Sequence, residues 1–208
     1  MHVELLAITP NAESLIEEAG RACYQSGSNA GPGSEKEFIR RIIRSGHHSV
    51  LEHGTATLRI TGGSRSFTHQ IVRHRLCAFS QASQRYINEK TFAYVTPPSI
   101  AENQETLELF EAFIAEARKT YTRLQDLGIK NEDARFVLPN AVQSEIVVSA
   151  NFREWRHIFC VRCDIHAQWE IRAIALEMLR IMRREAPTVF EDFVIHEETQ
   201  TARTPFPS

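Results

Sequence analysis

The sequence carries little excess charge of either sign: 24 Lys and Arg against 26 Asp and Glu leave a formal net charge of −2. No global field therefore draws in nucleic acid or an anionic membrane, and any basic cluster acts locally. Cysteine is scarce. The four residues at 23, 77, 160 and 163 are too few and too scattered for a secreted disulfide scaffold. There is no long apolar run, and MHVELLAITP has no basic leader, so neither a membrane span nor a signal peptide is expected, and a cytoplasmic location with reduced thiols is the default. GxGxxG and GxxxxGK are both absent, so a nucleotide or dinucleotide would bind without a Rossmann turn or a P-loop. His47, His48 and His53 lack an Asp or Cys to complete a ligand set, and no metal is expected. CVRC, with Cys160 and Cys163 inside a helical stretch, lacks the βαβ context of a redox loop and points to structural burial.

What is present suits a globular chain: 208 residues, 42% hydrophobic and 24% charged, enough for a substantial core. MHVELLAIT predicts a strand ended by Pro10, then a helix with Asn11 as N-cap and Leu15, Ile16 and Ala19 on one face. SGSNAGPGS, residues 26–34, predicts a flexible loop long enough for a lid or a subunit contact. Residues 35–45 predict a helix with Phe38, Ile39, Ile42 and Ile43 at core spacing, stopped by Gly46. TATLRIT (55–61) predicts a strand broken by Gly62-Gly63, with Ser64 capping a helix over about 65–75 and a loop over 76–90. Further helices are expected at 107–127, at a short segment opened by Asn131 and closed by Pro139, at 151–163 and at about 164–185. EIVVS (145–149) predicts another strand, and residues 196–208 a tail. Trp155 and Trp169, among apolar neighbours, fit a core or a subunit interface. The mixture is α/β or α+β: two to four mostly antiparallel strands flanked by long helices.

RHRLCAFSQASQR, residues 73–85, places Arg73, His74, Arg75 and Arg85 in one segment of this near-neutral chain. Two guanidinium groups about 6 Å apart repel by roughly 3 kcal/mol at an effective dielectric of about 20. Arginines held together therefore need an anion, and each charge-assisted hydrogen bond to a phosphate contributes about 1.5–3 kcal/mol. Ser80 and Ser83 add hydroxyl donors. On a continuous helix Gln70 and Arg73 share a face, while Arg73 and Arg75 diverge by about 200°, an arrangement suited to two anionic ligands at one helix end. The bland alternative is a helix end with basic residues complementing the macrodipole, followed by a solvated loop.

Arg73-His74-Arg75, seven residues, then Ser83 and Arg85-Tyr86, resembles the defining motif of the flavin-dependent thymidylate synthases. GHHSVLEH (46–53), DARFVLP (133–139) and NFREWRHIFCVRCDIHAQWEI (151–171) resemble further segments of that family in the same order. The resemblance implies a single domain over 1–208 with the family's small antiparallel sheet and long helices. It also implies methylation of dUMP to dTMP. 5,10-Methylenetetrahydrofolate would donate the carbon and NADPH would reduce a bound FAD. A homotetramer with shared active sites is implied too, and no nucleophile on the enzyme. Position by position, the resemblance implies flavin contacts at His47, Ser49, Arg73, His74, Arg75, Gln81, Asn151, Arg153 and His157. It implies nucleotide contacts at Gln70, Arg73, Gln81, Ala82, Ser83, Gln84 and Arg85, and at Arg135 from a neighbouring subunit. Arg162 matches the arginine that polarises the pyrimidine and favours ionisation at N3. Gln81 stands where the family often has Glu, and His157 where some members have Asn.

The physics of these residue types agrees. A nucleoside monophosphate is a dianion and FAD carries a pyrophosphate, so several arginines find partners. Arg153 and His157 are i, i+4 and meet one ligand from one helix face. Arg162 stays protonated and serves as a fixed positive charge, not as a base. Ser83 lacks a neighbouring base that would make it a nucleophile, and the Pro-Cys-His context of the cysteine-dependent thymidylate synthases is absent around Cys77. The competing hypothesis is an RNA-binding module in which Phe79 and Tyr86 stack bases between Arg73, Arg75 and Arg85.

Overall fold

In the computed structural model, which describes residues 1–23 and 31–206, strands are interspersed among helices. The order is β1 (His2–Ile8), α1 (Ala12–Ala22), α2 (Ser34–Arg44), β2 (Thr55–Ser64), α3 (Arg65–Ile71), β3 (Ala78–Gln81), α4 (Pro98–Ala101), α5 (Gln104–Asp126), α6 (Asn131–Ala134), β4 (Gln143–Asn151), α7 (Phe152–Arg162), α8 (Trp169–Glu185), α9 (Pro187–Phe190), β5 (Val194–His196) and β6 (Thr201–Arg203). Four strands form a sheet in the order β1-β2-β4-β3, and β5 pairs with β6. β1 and β2 run antiparallel: Thr9 N donates to Thr55 O at 3.0 Å, while Met1 lies against Gly62 at the other end. β2 and β4 are also antiparallel, with Phe152 N donating to Gly54 O and Arg65 N to Val142 O. Of the loop expected at 26–34, residues 26–30 lie outside the described residues.

Contacts divide the chain into two compact units. The first comprises Met1–His2, Ile60–Gln70 and Ser80–Ile146; the second comprises Val3–Arg59, Ile71–Phe79 and Val147–Ser208. In the first unit, α5 supplies Ile114 and Ala117 to a core with Phe92 and Val142. α5 begins where Asn103 Oδ1 accepts from the backbone N–H groups of Glu105 and Thr106, which satisfies two donors a helix start leaves open. In the second unit, α7 packs an aromatic cluster: Phe159 stacks on Trp155 and meets Phe190 and Phe193 edge to face. Trp155 is fully buried and donates Nε1–H to Ala56 O at 3.2 Å, so this tryptophan belongs to the core. Arg156, also fully buried, makes a two-pronged pair with Asp192 at 2.6 and 2.8 Å and stands over the Phe193 ring.

The α2 pattern holds, with Phe38, Ile39, Ile42 and Ile43 all buried. Six expectations are corrected. Gly62-Gly63 does not end the strand. β2 continues to Ser64, and Gly62 takes a left-handed φ of 75° with any added Cβ only 3.1 Å from Met1 N, a position suited to glycine. Ser64 Oγ does accept from Phe67 N, but α3 stops at Ile71, because His74 N and Cys77 N turn back to Ile71 O and His74 O. Arg73, His74 and Arg75 therefore sit on consecutive turns, and the shared helix face of Gln70 and Arg73 does not exist. The expected loop over 76–90 contains β3, tied to β4 where Ala82 N donates to Glu145 O at 2.9 Å. Residues 164–168 are not helical; Gln168 Oε1 caps α8 by accepting from Glu170 N and Ile171 N. The expected tail folds as the β5–β6 hairpin, with Thr201 and Ala202 buried. Asn11 precedes α1 but adopts φ 49° and makes no side-chain cap bond.

Candidate functional site

The expected site residues fall into two groups. In the first unit, the segment that begins at the end of β3 is held by side-chain hydrogen bonds and an ion pair. Gln81 Nε2 donates to Thr68 Oγ1 at 2.8 Å and to Ser144 Oγ at 3.2 Å, so its amide anchors the segment's start. Arg65 Nη2 donates to Ala82 O at 2.8 Å. Ser83 opens a turn: its carbonyl accepts from Tyr86 N and Ile87 N, and its Oγ accepts from Arg85 N at 3.3 Å. Arg85 Nε donates to Glu132 Oε2 at 3.2 Å, and Arg135 Nε donates to Glu132 O at 3.1 Å. Two of the expected nucleotide arginines thus converge on one residue, and its carboxylate occupies a place that a phosphate could take. Gln70 turns back on its own helix and donates to Ser66 O. Glu89, hydrogen-bonded to Gln84, is buried, and burial pushes its carboxyl pKa up.

In the second unit the arrangement is drier. The turn after α3 sends Arg73 and Arg75 into solvent and His74 inward, where it is 5% exposed. Among the described residues neither Arg73 nor Arg75 has a hydrogen-bonded or ionic partner. Arg162 Nε, at the end of α7, donates to His74 Nε2 at 2.9 Å. An Nε2 that accepts carries no proton, so the imidazole is neutral and its proton is on Nδ1. Burial, then the nearby Arg162 and the His157 ring, lower the His74 pKa to about 4. The same burial lowers the Arg162 pKa, though a guanidinium remains charged. The His157 ring lies edge to face with His74 at 5.7 Å.

Asn151, Arg153 and His157 line a cavity of about 450 Å³ together with Glu52, Leu76 and Glu154. Asn151 Oδ1 caps α7 by accepting from Glu154 N at 2.8 Å, and Arg153 Nη1 pairs with Glu52 at 2.6 Å. His47 and Ser49 line another cavity, of about 630 Å³, with Phe38, Arg41 and Val50. His48 instead is buried, and its Nε2 lies 3.2 Å from Ile43 O, so the two adjacent histidines do point apart. Cys77 is a half-buried thiol whose pKa is pushed up to about 12, first by desolvation and then by Glu154. It stays protonated, which removes it as a nucleophile. Burial likewise pushes Cys163 up to about 12.

Glu52, Glu132, Glu154, Arg65 and Glu89 were not singled out by the sequence. Glu154 had a signal: it stands three residues after the helix cap and three before His157, so it shares a face with both. Glu52 and Glu132 had none, because their partners are 101 and 47 residues away.

The model of the family described as Thymidylate synthase complementing protein matches residues 4–188. The flavin-dependent thymidylate synthase of Geobacter sulfurreducens is 42% identical over 200 residues, covering 92% of this chain and 86% of its own. That of Nitratidesulfovibrio vulgaris is 44% identical over 207 residues, covering 90% and 84%. A solved structure, the UMP/dUMP methylase PolB from Streptomyces cacaoi bound with 5-Br dUMP, shares the fold with a TM-score of 0.79 at 24% identity, covering 91% of this chain and 93% of that one. With matches spanning nearly its whole length, the chain belongs to the flavin-dependent thymidylate synthase family.

Proposed function

We propose that the protein makes dTMP from dUMP, taking carbon from 5,10-methylenetetrahydrofolate and reducing equivalents from NADPH through FAD. The observation that carries this is the Arg162–His74 contact: a half-buried guanidinium held by a buried neutral imidazole, at a position that matches the family's pyrimidine-polarising arginine. The residues fit the flavin. Exposed Arg73 and Arg75 suit its pyrophosphate, and Asn151, Arg153 and His157 offer donors around a cavity. When bound, the flavin supplies the hydride chemistry. The protein's part is electrostatic and positional. Arg162 presents a fixed charge to the pyrimidine, where in a water-excluded site it stabilises charge developing at the ring carbonyl and N3. Ser83, Arg85 and Arg135 hold the phosphate dianion, Arg85 exchanging Glu132 for it. Gln81 sets the position of that segment from beneath, in place of touching the ligand. Cys77 takes no covalent part.

Of the expected flavin contacts, His47 and Ser49 line one cavity and Asn151, Arg153 and His157 another, which favours a homotetramer whose sites are completed by another copy. Among the described residues no helix is long and apolar enough to cross a membrane. The enzyme of this proposal acts in the cytoplasm, as one domain over 1–208. The test is tritium release from 5-tritiated dUMP with FAD, NADPH and methylenetetrahydrofolate. Release that requires all four components supports the reaction. A protein that takes up flavin yet releases no tritium rejects it, and retention of RNA with a steep salt dependence in place of flavin would restore the RNA-binding alternative.

A further inference from the structure

Glu154 is a buried carboxylate to which the roles above give no task. It is the third residue of α7, a position from which an acidic side chain commonly turns back to the N-cap backbone. Here its Oε1 lies 3.4 Å from His74 Nδ1, with the two side chains 6% and 4% exposed. The same oxygen accepts from Cys77 Sγ at 4.0 Å. The other ring nitrogen of His74 accepts from Arg162 Nε at 2.9 Å. Nε of a guanidinium carries one hydrogen, so this contact exists only while His74 Nε2 is a lone pair. In the opposite tautomer, Nε2–H would meet Nε–H of Arg162, and the Nδ1 lone pair would face the carboxylate. Both contacts would turn repulsive together. The charged and titratable groups around the imidazole are Arg162 and His157, with Glu154 on the far side and Cys77 beyond it.

We propose that Glu154 is a positioning residue for the methylation. It fixes His74 as the Nδ1–H tautomer, and the imidazole in turn holds the Arg162 guanidinium by Nε in one orientation. This rests on Arg162 facing the pyrimidine. The physical basis is that a ring nitrogen's partner selects the tautomer, and so what the other nitrogen can do.

The experiment uses the flavin-loaded enzyme labelled with ¹⁵N-histidine, with His74→Asn assigning the resonance. Nitrogen shifts of the Nδ1–H form at neutral pH are expected for His74. Glu154→Ala is expected to lose that pattern and to lower kcat for tritium release by about ten- to a hundredfold, the loss of one charge-assisted contact in the reacting state. The dUMP KM is expected to stay within about threefold and flavin per chain to stay unchanged. Glu154→Gln keeps an uncharged acceptor for the same proton and is expected to recover kcat to within about threefold of the parent. Four results would overturn the proposal. One is the Nε2–H form in the parent. Another is a Glu154→Ala enzyme with unchanged tautomer and kcat. A third is Gln and Ala variants that are equally slow at full flavin content. The last is a fall in flavin content with kcat per bound flavin preserved. Arg162→Ala separates the two layers: undiminished turnover there removes Arg162 from the pyrimidine, while the His74 tautomer still reports on Glu154.

Discussion

The two units hold their charges in different ways. In the first, Arg85 and Glu132 pair with 53% and 41% of their side chains exposed; water screens such a pair, and it stabilises by about 0–1 kcal/mol. In the second, Arg156 meets Asp192 with 0% and 13% exposed, and Arg162 meets a buried neutral histidine. Exposed pairs exchange partners easily, which suits the phosphate contact proposed for Arg85. Contacts to buried groups keep their geometry, which suits the fixed charge proposed for Arg162. Each variant below probes one of the two units.

The largest effect is expected in the second unit. Arg156→Ala leaves Asp192 buried without its cation and should cost about 3–5 kcal/mol of stability, measured as a lower urea midpoint; a shift no larger than that of a surface variant would show the pair to be dispensable. Arg162→Ala should lower kcat by about 10²–10³-fold, as for loss of one preorganised charge in an active site, with flavin content retained in the same preparation. Equal losses of turnover and flavin would reassign it to cofactor binding. The His74 pKa gives the third. It is lowered from the usual 6.5 to about 4, so between those values the unfolded chain binds the proton and the folded one does not. Stability is therefore full above about pH 6.5 and falls as pH drops toward 4, by up to about 3 kcal/mol. Comparing denaturation midpoints at pH 7 and pH 4.5 for the parent and His74→Asn checks this, because the variant should lose that part of the pH dependence. The smallest effect is expected in the first unit. Arg85→Ala should raise the dUMP KM about tenfold, the low end for a charge-assisted phosphate contact because Glu132 already competes for the guanidinium. Flavin reduction by NADPH without nucleotide should hardly change, and an unaltered KM would take Arg85 off the phosphate.

Elements with a strong period were legible in the sequence. α2 declared itself by four apolar residues at helical spacing, and the helix read at 151–163 is α7, with Asn151 as its cap. What could not be read was decided by distant partners. α3 ends early although Val72–Arg75 would suit a helix, because His74 is drawn inward to Arg162, 88 residues away. β3 has four residues and the hairpin strands three each, too few for alternation to stand out from loop composition. The site shows the same boundary. The motif showed Arg73, Arg75 and Arg85 close in sequence, but of the three only Arg85 has an ionic partner among the described residues. That this partner, Glu132, comes from the chain itself was not legible, since nothing local to Arg85 marks a residue 47 positions on.

The C-terminal hairpin has a role larger than its size. Ala202 N donates to Cys163 O at 3.0 Å, tying down the backbone immediately after Arg162. Arg156, earlier on the same helix, is tied to Phe206 O as well. A chain cut short before Val194 would retain every side chain named in the candidate site, yet the last turn of the helix that carries Arg162 would lose its tether.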